Sequence, residues 1–449
     1  MSRVAGLASD RERRRFALTG GLALLILLGL ASPSLGRTGF PRPHADTAAP
    51  GATAAGWRHV DVQRPSGDTF GALLFYPALE AGPDAAFDAS GGPYPGIAFG
   101  HGFAQTPDRY DGTLAFLAAR GYLVIAPESY SAVLPAPDHA AFAEDLRLAL
   151  DWLEQAGAGA LPAARDLAGA VDGEAFGLSG HSMGGGAAIL AAARDPRVRA
   201  LAPMAPAETS PSAIAAMAAL EVPALLLAGS EDAITPLAQH AGPLFEAGRY
   251  PRLLPVIRGG SHCGFQDRPF PLFCDAGSLD REAQLALARR ILGAFFDLQL
   301  EQDGAGWREV WGPELLEDPA LETRVESGLE LSVIMPLGQA ERDARPEKPS
   351  DGIFLRNVGP LASRYAVAVD EAGWLSRPSV DRTPELAPGD SFALHLEVEL
   401  PPNTPGSASD RALVSFQPEA HPGVRAYLWL RTGSGEGAGE RYVPWAGRH

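Results

Sequence analysis

From Arg58 to Leu300 the chain alternates short apolar runs with stretches of helical spacing, and this constrains the fold more than any other feature. The runs at 70–76, 95–99, 122–126, 175–178, 198–202, 223–228 and 252–257 read as strands bounded by Gly and Pro. Between and after them, 110–119, 139–155, 183–193, 236–246 and 279–300 read as helices, the second with Phe142, Leu146, Leu150 and Leu153 on one face. Strands alternating with helices predict an α/β fold, a mainly parallel sheet covered on both faces. After Gly304 the pattern changes. Short alternating segments at 329–334, 365–369, 392–400, 412–416 and 426–430, separated by Pro, Gly and Asp turns, predict a smaller C-terminal all-β module, a sandwich. The expected organisation is the α/β domain over 57–304, a connector over 305–325 and the β-rich module over 326–449.

The N-terminal 36 residues read as an export signal. Arg13, Arg14 and Arg15 precede Phe16 and an apolar run over 17–31, followed by the small residues Ser32, Ser34 and Gly36. The arginine cluster resembles a twin-arginine signal, which predicts a periplasmic or extracellular protein. An uncleaved membrane anchor is the alternative, although the run is short and Gly-rich for a span. Residues 37–56, rich in Pro, Gly, Ala and Thr, read as a linker. The net charge of -17 becomes about -20 once the signal is removed, which disfavours nucleic acid and anionic membranes as partners. The two cysteines, Cys263 and Cys274, are expected to pair in an oxidising compartment; two buried thiols are the alternative.

The strongest chemical signal is Gly180-His181-Ser182-Met183-Gly184, which lies between a strand and a helix. A sharp strand-to-helix turn needs small residues on both sides of the serine, and it lifts the hydroxyl above the sheet edge. A serine hydroxyl is a weak nucleophile and needs a neighbouring base. In this arrangement an acid and then a histidine follow the serine in sequence. His262 lies just past the strand at 252–257. Asp232 lies just past the strand at 223–228, with Glu231 as its local rival. Sites in parallel-sheet proteins lie beyond such strand ends. The oxyanion hole is assigned to the N–H of Met183, next to the nucleophile, and of Phe103, in Gly100-His101-Gly102-Phe103. His181, Tyr130 and Phe265 are candidates to line a substrate pocket, and His101 reads as a loop-shaping residue. Packing on the core is the alternative for each aromatic.

These residues resemble the α/β-hydrolases that include bacterial cutinases, polyester hydrolases and platelet-activating-factor acetylhydrolases, relatives of the dienelactone hydrolases. The resemblance spans 66–300. It rests on Ser179-Gly180-His181-Ser182-Met183-Gly184-Gly185-Gly186, on Ala202-Pro203-Met204-Ala205-Pro206, on 223–236 and on Gly259-Gly260-Ser261-His262. It implies the α/β-hydrolase fold, and it selects Asp232, followed by Ala-Ile-Thr-Pro, over Glu231 as the acid. Phe103 falls where polyester hydrolases place an aromatic that gives an oxyanion N–H. The chain departs from those enzymes at His101-Gly102-Phe103, where they read Pro-Gly-aromatic, and at Ala126-Pro127-Glu128-Ser129-Tyr130. It departs again at the Cys263–Cys274 spacing and in the C-terminal module.

The expected function is ester hydrolysis through Ser182, His262 and Asp232 and an acyl-enzyme, with no metal or organic cofactor required. The substrates are small or polymeric esters, short-chain or polyester-like. A secreted peptidase or acyltransferase keeps the same residues, and a surface-binding protein with a vestigial hydrolase domain is a third reading. Trp374, Tyr427 and Trp429 are candidate polymer contacts of the β module, with burial in a core or domain interface as the alternative. The segments 135–138 and 266–278 are candidate covers of the cleft. Oligomeric state is open.

Overall fold

In the computed structural model, residues 53–268, 274–301, 304–334, 352–399, 401–405 and 408–433 are described. The expected export signal, most of the linker and residues 269–273 of the expected cover loop lie outside them.

The described sheet of the catalytic region has eleven strands. In chain order they are β1 (Ala54–Gln63), β2 (Thr69–Ala78), β3 (Gly82–Pro83), β4 (Tyr94–Gly100), β5 (Leu123–Pro127), β6 (Val171–His181), β7 (Val198–Met204), β8 (Ala224–Leu225), β9 (Ala228–Gly229), β10 (Arg252–Ile257) and β11 (Leu321–Glu326). Across the sheet the order is β11-β10-β8-β7-β6-β4-β5-β2-β1-β3, with β9 beside β10. From β5 through β4, β6, β7 and β8 to β10 every pairing is parallel. The β1–β2, β2–β5 and β10–β11 pairings are antiparallel. This is the mainly parallel sheet of an α/β-hydrolase.

Strand alternation sorts the core into two layers. Ala98, Leu123, Ile125, Phe176 and Leu178 face one side, against the helices α2 (His139–Gly157), α3 (Met183–Ala192) and α5 (Ala241–Ala247). Ile97, Phe99, Val124 and Ala126 face the other, against α1 (Asp111–Ala119) and α6 (Arg281–Phe296). A short helix, α4 (Ala213–Met217), not read from the sequence, precedes β8. In α2 all four residues expected on one face are buried, and the Asp138 side chain caps its start by accepting from the Ala140 and Ala141 N–H groups. The helix expected over 236–246 begins only at Ala241, because His240 has φ -126° and ψ -86° and interrupts it. The helix expected to end at Leu300 ends at Phe296 and widens into a π turn, Asp297–Glu301.

The connector expected over 305–325 is structured. It holds α7 (Pro313–Leu316) and then β11, which pairs antiparallel with β10 from Arg252↔Glu326 to Ile257↔Leu321. The catalytic sheet therefore begins at Ala54 and takes its last strand from beyond the boundary expected at 304.

The C-terminal module is built from antiparallel sheets. One joins β12 (Leu329–Ile334), β13 (Gly352–Asn357) and β16 (Ser391–Leu394). A second joins β14 (Tyr365–Ala372), β18 (Ser409–Pro418) and β19 (Ala426–Gly433), and a ribbon pairs β15 (Leu375–Pro378) with β17 (Leu396–Glu399). Between the two larger sheets lie Ile353, Leu355, Tyr365, Val367, Val414, Phe416 and Leu428. On the other face of β18 and β19, Leu413 and Tyr427 join Trp307, Val310 and Trp311 in the α6-side core of the catalytic region. Tyr427 Oη and Trp429 Nε1 both donate to Glu317 Oε1, at 3.2 and 3.0 Å. Two of the three candidate polymer contacts thus sit at the domain interface. Trp374 is half-buried, and its backbone N–H donates to Asp410.

Candidate active site

Ser182 follows the last residue of β6 and precedes α3. Its backbone has φ 55° and ψ -120°, a conformation that costs a non-glycine residue energy and persists only when its surroundings enforce it. They do so by close packing. A Cβ on Gly180 would lie 2.6 Å from the Gly184 carbonyl oxygen and 2.7 Å from that of Gly100. Positive φ recurs at Ala104, Tyr130 and Ala205, just beyond the ends of β4, β5 and β7. The backbone is therefore bent at the same edge of the sheet on all four strands.

Asp232 and His262, from the loops after β9 and β10, are brought together. His262 Nδ1 lies 2.8 Å from Asp232 Oδ2, and both side chains are buried. A carboxylate can only accept, so the imidazole carries its proton on Nδ1 and keeps Nε2 as a lone-pair acceptor. The other carboxylate oxygen, Oδ1, accepts from the Ile234 and Thr235 N–H groups at 2.9 and 2.6 Å. Thr235 Oγ1 lies 2.8 Å from Asp232 Oδ2 and 3.0 Å from His262 Nδ1. Burial alone would raise the Asp232 pKa. The hydrogen bond from His262, the electrostatic attraction between the two side chains and the Thr235 donors outweigh burial and hold the pKa below the ordinary value. Among the described residues, no hydrogen bond joins Ser182 Oγ to the imidazole. Glu231 turns elsewhere: its carboxylate accepts from the N–H and hydroxyl of Ser278.

Met183 opens α3, where the first N–H groups have no intrahelical acceptor. Phe103 sits on the loop after β4 and is 49% exposed, at the rim. Two histidines brace this loop. His101 is fully buried, with Nδ1 2.9 Å from the Gly102 carbonyl and Nε2 2.8 Å from that of Ser129. His181 is also fully buried, and its Nε2 lies 3.1 Å from the His262 carbonyl. Desolvation, followed by the nearness of His262, pushes the His181 pKa well down and keeps the ring neutral. A neutral ring that donates from Nε2 must accept at Nδ1, and there it meets the Tyr110 hydroxyl at 2.9 Å.

Of the pocket candidates, His181 and Phe265 are 0% exposed, with ring centroids 6.1 Å apart. Tyr130 stays half-buried, its ring 5.7 Å from that of Phe142. The loop that carries it is fixed by Ser129 Oγ, which donates to Asp145, itself held by Arg64. Cys263 and Cys274 form a disulfide.

Sequence reading missed Thr235 and Tyr110. An Asp followed three residues later by Thr is a recurrent local pattern for side-chain-to-backbone bonding, and it pointed to Thr235. Nothing local pointed to Tyr110, which meets a histidine 71 residues away.

Known proteins resemble this domain. A family model described as PET hydrolase-like matches residues 45–268. The chain belongs to the cutinase and polyester-hydrolase family of α/β-hydrolases. Members of this family are carboxylic ester hydrolases. "Cutinase cut1" of Thermobifida fusca is 25% identical over 233 residues, 52% of this chain and 67% of the relative. "Cutinase est1" of Thermobifida alba is 27% identical over 154 residues, 34% of this chain and 48% of the relative. The family rests on the matched domain, and at these identities the choice of ester is left to the residues of this chain.

Proposed function

We propose that this chain is an exported serine esterase that uses Ser182 as nucleophile, His262 as general base and Asp232 as the carboxylate that orients it. The observation that carries the proposal is the 2.8 Å Asp232–His262 bond beside a serine held at φ 55° on a strand-to-helix turn. In the first half-reaction His262 Nε2 takes the Ser182 proton while Oγ bonds to the ester carbonyl carbon. The negative oxygen is held by the N–H groups of Met183 and Phe103. The imidazolium, stabilised by Asp232, passes its proton to the leaving alcohol as the ester C–O bond breaks. Water then attacks the acyl-enzyme by the same route, releasing the acid and restoring Ser182.

The substrates are short-chain or polyester-like esters. Exposed Phe103, Val133, Leu134 and Ile234, on loops beyond β4, β5 and β9, supply apolar surface where such a substrate would enter. Export is supported by Arg13, Arg14 and Arg15 ahead of an apolar run, and by an oxidised cysteine pair.

The test is a p-nitrophenyl ester series from acetate to palmitate, run on the mature chain and on Ser182→Ala. Activity that peaks at short acyl chains and vanishes in Ser182→Ala is expected. Turnover of amides with none of esters would move the assignment to a peptidase.

A further inference from the structure

The loops that carry Asp232 and His262 share a ligand that lies far from both in the motif pattern. Asp275 directly follows Cys274, which is bonded to Cys263 next to His262. Its Oδ2 accepts from the Ala233 N–H and the His262 N–H, each at 3.0 Å, and its Oδ1 accepts from the Cys263 N–H at 3.0 Å. Ala233 is the residue after Asp232. One carboxylate thus grips the backbone beside the acid and at the base itself.

We propose that Asp275 is a positioning residue for ester hydrolysis, fixing His262 against Asp232 by holding the backbone N–H groups of both loops. This rests on the esterase reading above.

Other bonds join the same two loops, but farther from the reacting groups. The Glu231 N–H donates to the Gly260 carbonyl at 2.8 Å, and the Gly259 N–H donates to Ser230 Oγ at 2.8 Å. Separately, Gln284 of α6 holds the His262 loop by accepting from the Ser261 N–H and donating to the Ser261 carbonyl. The contacts between the loops keep them paired when Asp275 is removed, so the fold survives. What is lost is the restraint at Ala233 and His262, where a small drift opens the Nδ1–Oδ2 bond. A misplacement of about 1 Å in a catalytic group can cost on the order of a hundredfold in rate. The disulfide supplies the tether, since it anchors the residue before Asp275 to the residue after His262.

The test compares the wild-type full chain with Asp275→Asn and Asp275→Ala. In Asp275→Asn the amide oxygen still accepts from Ala233 and His262, while its NH2 group faces the Cys263 N–H. With p-nitrophenyl acetate, kcat is expected to fall about tenfold in Asp275→Asn and about a hundredfold in Asp275→Ala, with KM within about twofold. Amide hydrogen exchange in peptides spanning 231–236 and 259–265 should rise together in both variants, with circular dichroism unchanged. A kcat within about twofold of wild type in a folded variant overturns the proposal, as does exchange that rises in only one loop or in neither. If Asp275→Ala does not fold, Asp275→Asn decides. If the wild-type chain hydrolyses no ester, the esterase reading fails by itself, and the exchange data still decide whether Asp275 couples the loops.

Discussion

The Tyr110 hydroxyl stands 2.9 Å from His181 Nδ1 and accepts from the Gly102 N–H at 3.1 Å. It therefore links the loop that offers Phe103 to the ring that holds the His262 carbonyl. The protons along this path are fixed in one direction, from Gly102 to Tyr110 to His181 and from His181 to the His262 carbonyl. Tyr110→Phe removes the middle member and strands two buried polar groups. It is expected to cost about 1–3 kcal/mol per stranded group, read as a lower melting temperature, and to lower kcat.

Asp232→Asn should leave the fold intact while destroying the preference for a proton on His262 Nδ1. In the general Ser-His-Asp scheme that change costs roughly 10⁴-fold in kcat. Steady-state kinetics at constant protein concentration check it. A loss below about tenfold would point to a different acid.

His181 and Asp232 both contribute to the acid side of the stability profile. His181 is held neutral with a depressed pKa, so as pH falls below about 6.5 the unfolded chain takes up a proton that the folded chain refuses. Stability is expected to fall from there downward. Asp232, whose pKa is lowered by its partners, adds stability that is present above its unfolded value near 3.9 and is lost as pH falls through the folded value. Thermal melts from neutral to acid pH check both. His181→Gln should make the first decline shallower without abolishing it, because His101 is also buried with a depressed pKa, and should leave the second.

Trp307 is buried between the catalytic region and the β module, its ring centroid 6.1 Å from that of Tyr427, with Arg425 over its face. Trp307→Ala is expected to cost about 3–5 kcal/mol. Loss of a single cooperative melt in favour of two transitions would show that the module folds independently of the catalytic region.

What the sequence made legible was what short-range pattern encodes. Ser182 lies in a five-residue motif whose glycines are demanded by the turn. Asp232 and His262 each lie a few residues past a strand end, where the sheet's periodicity points. How deeply Phe265 and His181 are enclosed was not legible, because enclosure is set by neighbours far away in sequence. β11 was read as connector because a lone edge strand shows no more than a few alternating residues, and its partner, β10, lies more than sixty residues earlier. Asp275 was invisible for a related reason: its partners are backbone N–H groups, which every residue has.

β11 also bears on how this protein can be taken apart. The strand that closes the hydrolase sheet is the start of the chain's path into the sandwich, so there is no seam at which the two can be separated cleanly. A cut near residue 304 strips the flank of β10, whose other side abuts the strand bearing the acid loop, and leaves its ladder open to any passing strand. A trimmed enzyme intended for use without its appendage should therefore keep residues through Glu326 and replace, with polar side chains, the apolar surface that Leu413 and Tyr427 now cover.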